Sequence, residues 1–265
     1  MIEDETEGKI FRTTRDKGKT YDEGASPVLQ RIGRRESEPH SEEVSYMYDV
    51  LTTNFPDSRT FWDLHHYFKL EDGTEIDLQF DISFCKGLIL KKALSSYDPS
   101  QFNGRIPDMA INILSKSTWR IDLLDHGDYC EKVKIPYYIV FTPYDTVGKL
   151  YSPPFMRVFH LENDKYVHFD IRDIALKEGE EEMIDNTKIV DLGNRLPFRI
   201  GLMERKKSHI KCGKLYRLVF FDKENDILLK TTAEKERERA EKETERANQL
   251  KKILEKYKQK YGEIN

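Results

Sequence analysis

Two apolar runs, DMAINIL (residues 108–114) and IPYYIVFT (135–142), stand on either side of WRIDLLDHGDYCEKVK, a segment patterned as a helix despite Gly127. This arrangement limits the fold more than any other feature of the chain. A strand, a helix and a second strand in that order form a crossover, and a crossover joins parallel strands. The expectation is a mixed α/β domain with these two strands side by side. A third run, EIDLQFDISF, alternates: Ile76, Leu78, Phe80, Ile82 and Phe84 point one way, and Asp77, Gln79, Asp81 and Ser83 the other. That period of two predicts a half-buried strand. Ahead of it, SEEVSYMYDVLTTNF spaces Val44, Met47, Tyr48, Leu51 and Phe55 as an amphipathic helix capped by Ser41. Later runs, VGKLY, FMRVFHL, KYVHFDI and KLYRLVFF, read as strands or hairpins around turn signals such as ENDK and FDKEND.

The two ends differ from this middle. Residues 1–36 hold eight basic and eight acidic side chains, scattered glycines and few large apolar groups, which predicts a disordered polar leader. Residues 232–265 are nearly free of β-branched residues, and predict one long charged helix beginning near Thr232 as its cap. From Ala233 to Tyr261 it carries ten basic and seven acidic residues. Ala233, Ala240, Ala247, Leu254 and Tyr261 recur every seven residues, with Leu250, Tyr257 and Ile264 three further on, although Glu236 and Glu243 occupy inner positions of the first half. Two readings stay open: a dimer zipper or partner-docking helix formed by the last turns, or a solvated helix laced by ion pairs. Residues 37–231 form the expected folded domain.

The chain sums to a net charge of −4 while its tail is positive, so the folded middle is acidic, unlike the usual nucleic-acid binder. No apolar run approaches the roughly 18 residues that a membrane-spanning helix needs, and the N-terminus has no signal-peptide pattern. Cys85, Cys130 and Cys212 lie far apart, as reduced thiols of a cytoplasmic protein would. His65 and His66 are adjacent on an aromatic strand, TFWDLHHYF, and so point to opposite faces rather than to a shared metal. Arg205–Lys207 and KKALSSYDPS read as short basic loops, and Ser115 and Ser117 as turn or capping residues.

Three residues stand out for chemistry. Asp81 lies on the polar side of the first strand, Asn112 stands between Ile111 and Ile113 on the next, and His126 is one helical turn beyond Asp122. A carboxylate, a polar residue on the neighbouring strand and a polar helix face above them could frame a magnesium site.

At these residues the sequence resembles the Uma-two family of restriction-endonuclease-like proteins, which share the PD-(D/E)XK nuclease fold. In GRIPDMAINILSKSTWRIDLLDHGDYCEKVKIPYYIVF, the residues Pro107, Asp108, Leu114, Ser115, Ser117, Thr118, Asp122, Pro136 and Tyr138 keep the family's pattern. FDISF resembles its earlier Pro-Asp-Ile-Ser strand, with Asp81 at the metal-binding aspartate and Phe80 in place of proline. RLVFFDKENDILLKTTAEKERERAEKE resembles its closing strand, turn and charged helix, so the likeness runs from about His40 onward.

The resemblance implies a restriction-endonuclease-like mixed sheet flanked by helices, with a long C-terminal helix, and metal-dependent cleavage of DNA. In the family a strand Asp and Glu hold magnesium, and a helix Lys steadies the charge of the transition state. Here the Glu aligns with the neutral Asn112, the Lys with His126, and a helix Tyr with Cys130. The expected metal ligands are Asp81 and Asn112, with His126 standing where the cation normally does. The resulting expectation is an endonuclease-fold protein whose magnesium-dependent cleavage is weakened or lost. The rival is a non-catalytic binding or assembly protein, with DNA or a protein as partner and the C-terminal helix as the means of dimerising or docking.

Overall fold

The computed structural model describes residues 10–13 (backbone only), 37–116, 118–145, 148–209 and 213–262. The chain divides into two compact units, Met1–Leu229 and Lys230–Asn265.

The first unit is built on β3 (Glu75–Cys85). β2 (Arg59–Lys69) lies antiparallel to it along its whole length. The intervening turn is closed by Thr74 N–H donating to Asp72 Oδ1, with Gly73 at φ +83°. The other edge of β3 is shared. β4 (Met109–Ile113) pairs antiparallel with Ile82–Phe84, and β1 (Ile10–Thr13) pairs parallel with Glu75–Leu78. β1 falls inside the segment read as a polar leader; the rest of that segment lies outside the described residues.

β5 (Tyr137–Thr142) follows β4 in parallel, as the crossover pattern requires, and the crossover contains a π-helical turn (Ile121–Asp125) that runs into α2 (His126–Lys132). β6 (Phe155–Glu162) and β7 (Lys165–Ile171) complete this mixed sheet as an antiparallel hairpin. In VGKLY, Lys149–Tyr151 form a 3-10 turn rather than the expected strand, and Val147 lies outside the described residues. A second sheet contains β8 (Leu176–Lys177), β9 (Phe198–His209) and β10 (Gly213–Asp222) in the order β10-β9-β8.

α1 (Glu38–Asn54) packs against β2, β3 and β10, and between them lies the larger core, with Met47, Val50, Leu51, Ile111, Phe141 and Phe220 fully buried. The other face of the mixed sheet carries a second core beneath the π turn and α2, including Leu78, Phe80, Val140 and Phe155. Both faces are covered, so every residue of β3 after Glu75 is buried. The half-buried strand read from its alternation is corrected: its polar side is inside the protein as well.

α1 begins at Glu38 rather than after Ser41, because Pro39 fits the first turn and Ser37 is its N-cap. The stretch Arg205–Lys207, read as a basic loop, belongs to β9. There Arg205 meets Glu42 and Glu43, and Lys207 meets Glu38 and Glu42. The unassuming cause is register: Arg205 and its neighbours complement the acidic first turns of α1. Of the cysteines, Cys85 and Cys130 are buried free thiols, and Cys212 lies outside the described residues.

The second unit is α3 (Thr232–Tyr261). Its cap is Thr231, one residue before the expected Thr232. The Thr231 hydroxyl accepts from Glu234 N–H, and the Glu234 carboxylate accepts from Thr231 N–H, a reciprocal capping box. No residue of α3 is buried. Ile264, the last of the heptad positions, lies outside the described residues. Among the described residues no helix is long and apolar enough to cross a membrane.

Candidate functional site

β3 and β4 pair only from Ile82↔Ile111 to Phe84↔Met109, and beyond that point the two strands diverge. Side chains take over where the backbone pairing stops. Asn112 Oδ1 accepts from Asp81 N–H at 3.0 Å, and Asp81 Oδ2 accepts from Ile113 N–H at 2.7 Å. The apolar pattern of β3 changes sides at the same place. Ile76, Leu78 and Phe80 belong to the core under α2, whereas Ile82 and Phe84 belong to the core under α1. Opposite Asp81 on β2, Asp63 is in the left-handed region at φ 44°. The single continuous face read from the alternation is therefore two half-faces joined at Asp81.

The donor to Asn112 Oδ1 is a backbone N–H, which fixes the orientation of the amide. Its NH2 group then points the other way, 3.0 Å from Asp122 Oδ1, 2.8 Å from His126 Nδ1 and 3.2 Å from Tyr138 Oη. An NH2 facing Nδ1 requires that nitrogen to accept, so the Asn112 contact holds His126 with its proton on Nε2. Tyr138 Oη in turn donates to the Asp122 carbonyl at 2.8 Å. The π turn delivers Asp122 and His126 to this place, with His126 N–H closing the wide turn onto Ile121 C=O and the two side chains 3.6 Å apart. On the other side, His40 Nε2 from α1 lies 3.4 Å from Asp81 Oδ2.

All three residues expected to carry chemistry thus meet in one network; Asp122, the expected neighbour of His126, joins it, and so does Tyr138, which the sequence marks only as part of the family pattern. The network is buried. Asp81 is 2% exposed, and Asn112, Asp122, His126 and Tyr138 are 0% exposed. A groove of about 1180 Å³, lined by Tyr67, Lys69, Glu75, Ile106, Lys132 and Lys134 among others, opens elsewhere and includes none of the five.

Magnesium prefers several oxygen ligands and keeps part of its water shell. Here one carboxylate oxygen already accepts from the backbone, the amide presents hydrogens to Asp122 and His126, and the network is almost wholly buried. Among the described residues, no three His, Cys, Asp or Glu side chains converge in a way that could hold a metal ion. The residues present do not suit the ion. Asp108, which shares a strand face with Asn112 in the sequence, instead accepts from Lys86 N–H at 2.8 Å.

The two histidines of β2 do separate to opposite faces. His65 Nδ1 lies 2.9 Å from Asp77 Oδ1. His66 is fully buried: its Nδ1–H donates to Leu64 C=O and its Nε2 accepts from Ser83 Oγ–H, both at 2.9 Å. Burial drives its pKa down to about 4, so it is neutral at pH 7. His40 and the His66–Ser83 pair were not foreseen, since they depend on contacts between elements and leave no spacing signal. Ser115 does act in a turn, its hydroxyl 2.7 Å from that of Thr118; Ser117 lies outside the described residues.

No family profile matches the chain, and no curated protein does. Comparison with solved structures finds similarity to a crystal structure of a candidate nuclease of DUF820 from Anabaena variabilis, at 15% identity and a TM-score of 0.37, covering 53% of this chain and 70% of that one. A likeness of that degree carries no argument about fold or function.

Proposed function

We propose that this chain is an endonuclease-fold protein in which magnesium-dependent DNA cleavage is weakened or lost, and that it works by binding, with α3 as its docking element. One observation carries the reading. The polar group that stands at the family's metal-binding Glu, Asn112, has both ends of its amide committed to protein partners in a dry interior. A group so engaged supports the sheet and the π turn; to bind an ion it would have to abandon several buried hydrogen bonds, each costly to leave unmade. The acidic balance of the folded domain weighs in the same direction, because a DNA-cleaving surface needs cations for the phosphates.

The rival is a magnesium-dependent DNA endonuclease, with Asp81 as ligand, Asn112 as a weak second ligand and His126 at the cation position. Incubating supercoiled plasmid with the full chain and magnesium or manganese separates the two. The reading expects no metal-dependent nicking. Nicking that disappears in a folded Asp81→Asn variant would establish the enzyme.

A further inference from the structure

Along the second half of α3, Leu250, Leu254, Tyr257 and Tyr261 form a stripe at coiled-coil spacing, and each is more than half exposed. With Ala247 and Leu254 at position a, and Leu250 and Tyr257 at position d, the flanking e and g positions from Arg237 to Lys260 are Arg237, Arg239, Thr244, Arg246, Lys251, Ile253, Lys258 and Lys260. Six of these eight are basic and none is acidic. The acidic residues lie elsewhere on the helix: Glu234, Glu241 and Glu255 at b, Glu238 and Glu245 at f, and Glu236 and Glu243 at the inner d positions of the first half.

This segregation decides between occupants. In a parallel pair of identical helices, position g of one faces position e of the other, which sets Arg246 against Lys251 of a second copy. In an antiparallel pair, e faces e and g faces g, again basic against basic. Like charges so placed destabilise the pair and give it no register. A partner whose apolar seam is flanked by Glu or Asp satisfies every one of them. An anionic membrane would also attract the lysines, but the apolar arc from Ile253 through Leu250 to Ala247 spans only roughly 120° at about 100° per residue. It contains neither Trp nor Phe, the residues expected on the buried face of an interfacial helix.

We infer that α3 docks through Ala247–Tyr261 onto a helix with acidic flanks, and that it does not pair with its own copy. This rests on the proposed reading of the chain as a binding protein rather than a nuclease, and the plasmid-nicking assay tests that reading separately. The experiment uses the full chain and a fluorescent synthetic helix with Leu at a and d and Glu at e and g. The chain is expected to sediment as a monomer and to bind this peptide, with affinity falling about tenfold or more from low to high salt as the exposed charges are screened. The variant Lys251→Glu/Lys258→Glu/Lys260→Glu, its helicity checked by circular dichroism, should lose about tenfold in affinity for the acidic peptide and gain affinity for one with Lys at e and g. Four results would overturn the inference: self-association of the unaltered chain, no binding of the acidic peptide, equal binding of both peptides, or binding to phosphatidylserine vesicles without binding to the peptide.

Discussion

Asn112 and Asp81 each complete the other's strand: the amide oxygen takes the Asp81 N–H, and the carboxylate takes the N–H of Ile113, next to Asn112. The far side of the amide must donate, because it faces Asp122 Oδ1 at 3.0 Å and His126 Nδ1 at 2.8 Å. Asn112→Asp keeps the shape but replaces the donor with an anion beside another buried carboxylate. It is expected to destabilise the domain by about 3–5 kcal/mol, as for other uncompensated buried charges, measured by urea unfolding at neutral pH. A near-neutral change would mean that the amide is not the donor that this network requires.

Two changes at Asp81 distinguish a strand clamp from a charge required for itself. Asp81→Asn retains an oxygen to accept from Ile113 N–H and should cost about 1 kcal/mol, the difference between a charged and a neutral acceptor. Asp81→Ala leaves that N–H unsatisfied beside a small void and should cost about 3 kcal/mol. Equal losses in chemical denaturation would contradict the clamp.

Glu43 of α1 is buried against Arg217 of β10. Three contacts of 3.0–3.1 Å join them, and the Arg217 guanidinium lies 3.9 Å from the centroid of the Tyr46 ring. Burial pushes the Glu43 carboxyl above the usual range, against the pull of Arg217. Arg217→Met should therefore cost about 3 kcal/mol, because it removes the main partner of the buried carboxylate and leaves only Arg205, 3.3 Å from Glu43 Oε1, while Glu43→Leu combined with Arg217→Met should recover most of the loss. The comparison is a double-mutant cycle of unfolding free energies, and a double variant no better than Arg217→Met would refute the stranded-charge argument.

His66 makes stability depend on pH. Its folded pKa of about 4 lies below the ordinary value of 6.5, so between these the unfolded chain binds a proton that the folded one refuses. Stability from this group is complete above about pH 6.5 and declines as pH falls towards 4, by on the order of 3 kcal/mol in total. Unfolding free energies of the wild type and His66→Gln at pH 7 and pH 5 should diverge in slope, with the variant the flatter; parallel slopes would remove His66 as the cause.

Much of the architecture can be read from local patterns. The apolar runs before and after the π turn determine the parallel pair, and the charged, glycine-poor tail is a single helix because capping and propensity act locally. Asp81, Asn112, Asp122 and His126 were legible as a cluster, because neighbouring strands and one helix turn bring them together, whereas Tyr138 stood out only as a residue of the family pattern. What was not legible depends on distant contacts. Alternation in EIDLQFDISF cannot reveal that the face changes at Asp81, where the pairing with β4 ends and Asp63 on β2 takes a left-handed conformation. Nor does it tell that α1 and the second sheet cover one side, and α2 the other, so that Asp77 and Gln79 are buried rather than on the open side of a half-buried strand. The strand β9 was hidden because ERKKSH has the composition of a loop; its pairing with β10 and β8 and the acidic first turns of α1 that receive Arg205 and Lys207 are all distant in the chain.

The central claim, that Asp81 and Asn112 clamp a sheet rather than hold an ion, is tested most directly by unfolding the full chain with and without magnesium. An ion bound only by the folded state, at a concentration a hundredfold above its Kd, would add about 2.7 kcal/mol. We predict no stabilisation by magnesium in either the wild type or Asp81→Asn. A magnesium-dependent gain in the wild type that Asp81→Asn abolishes would contradict the account.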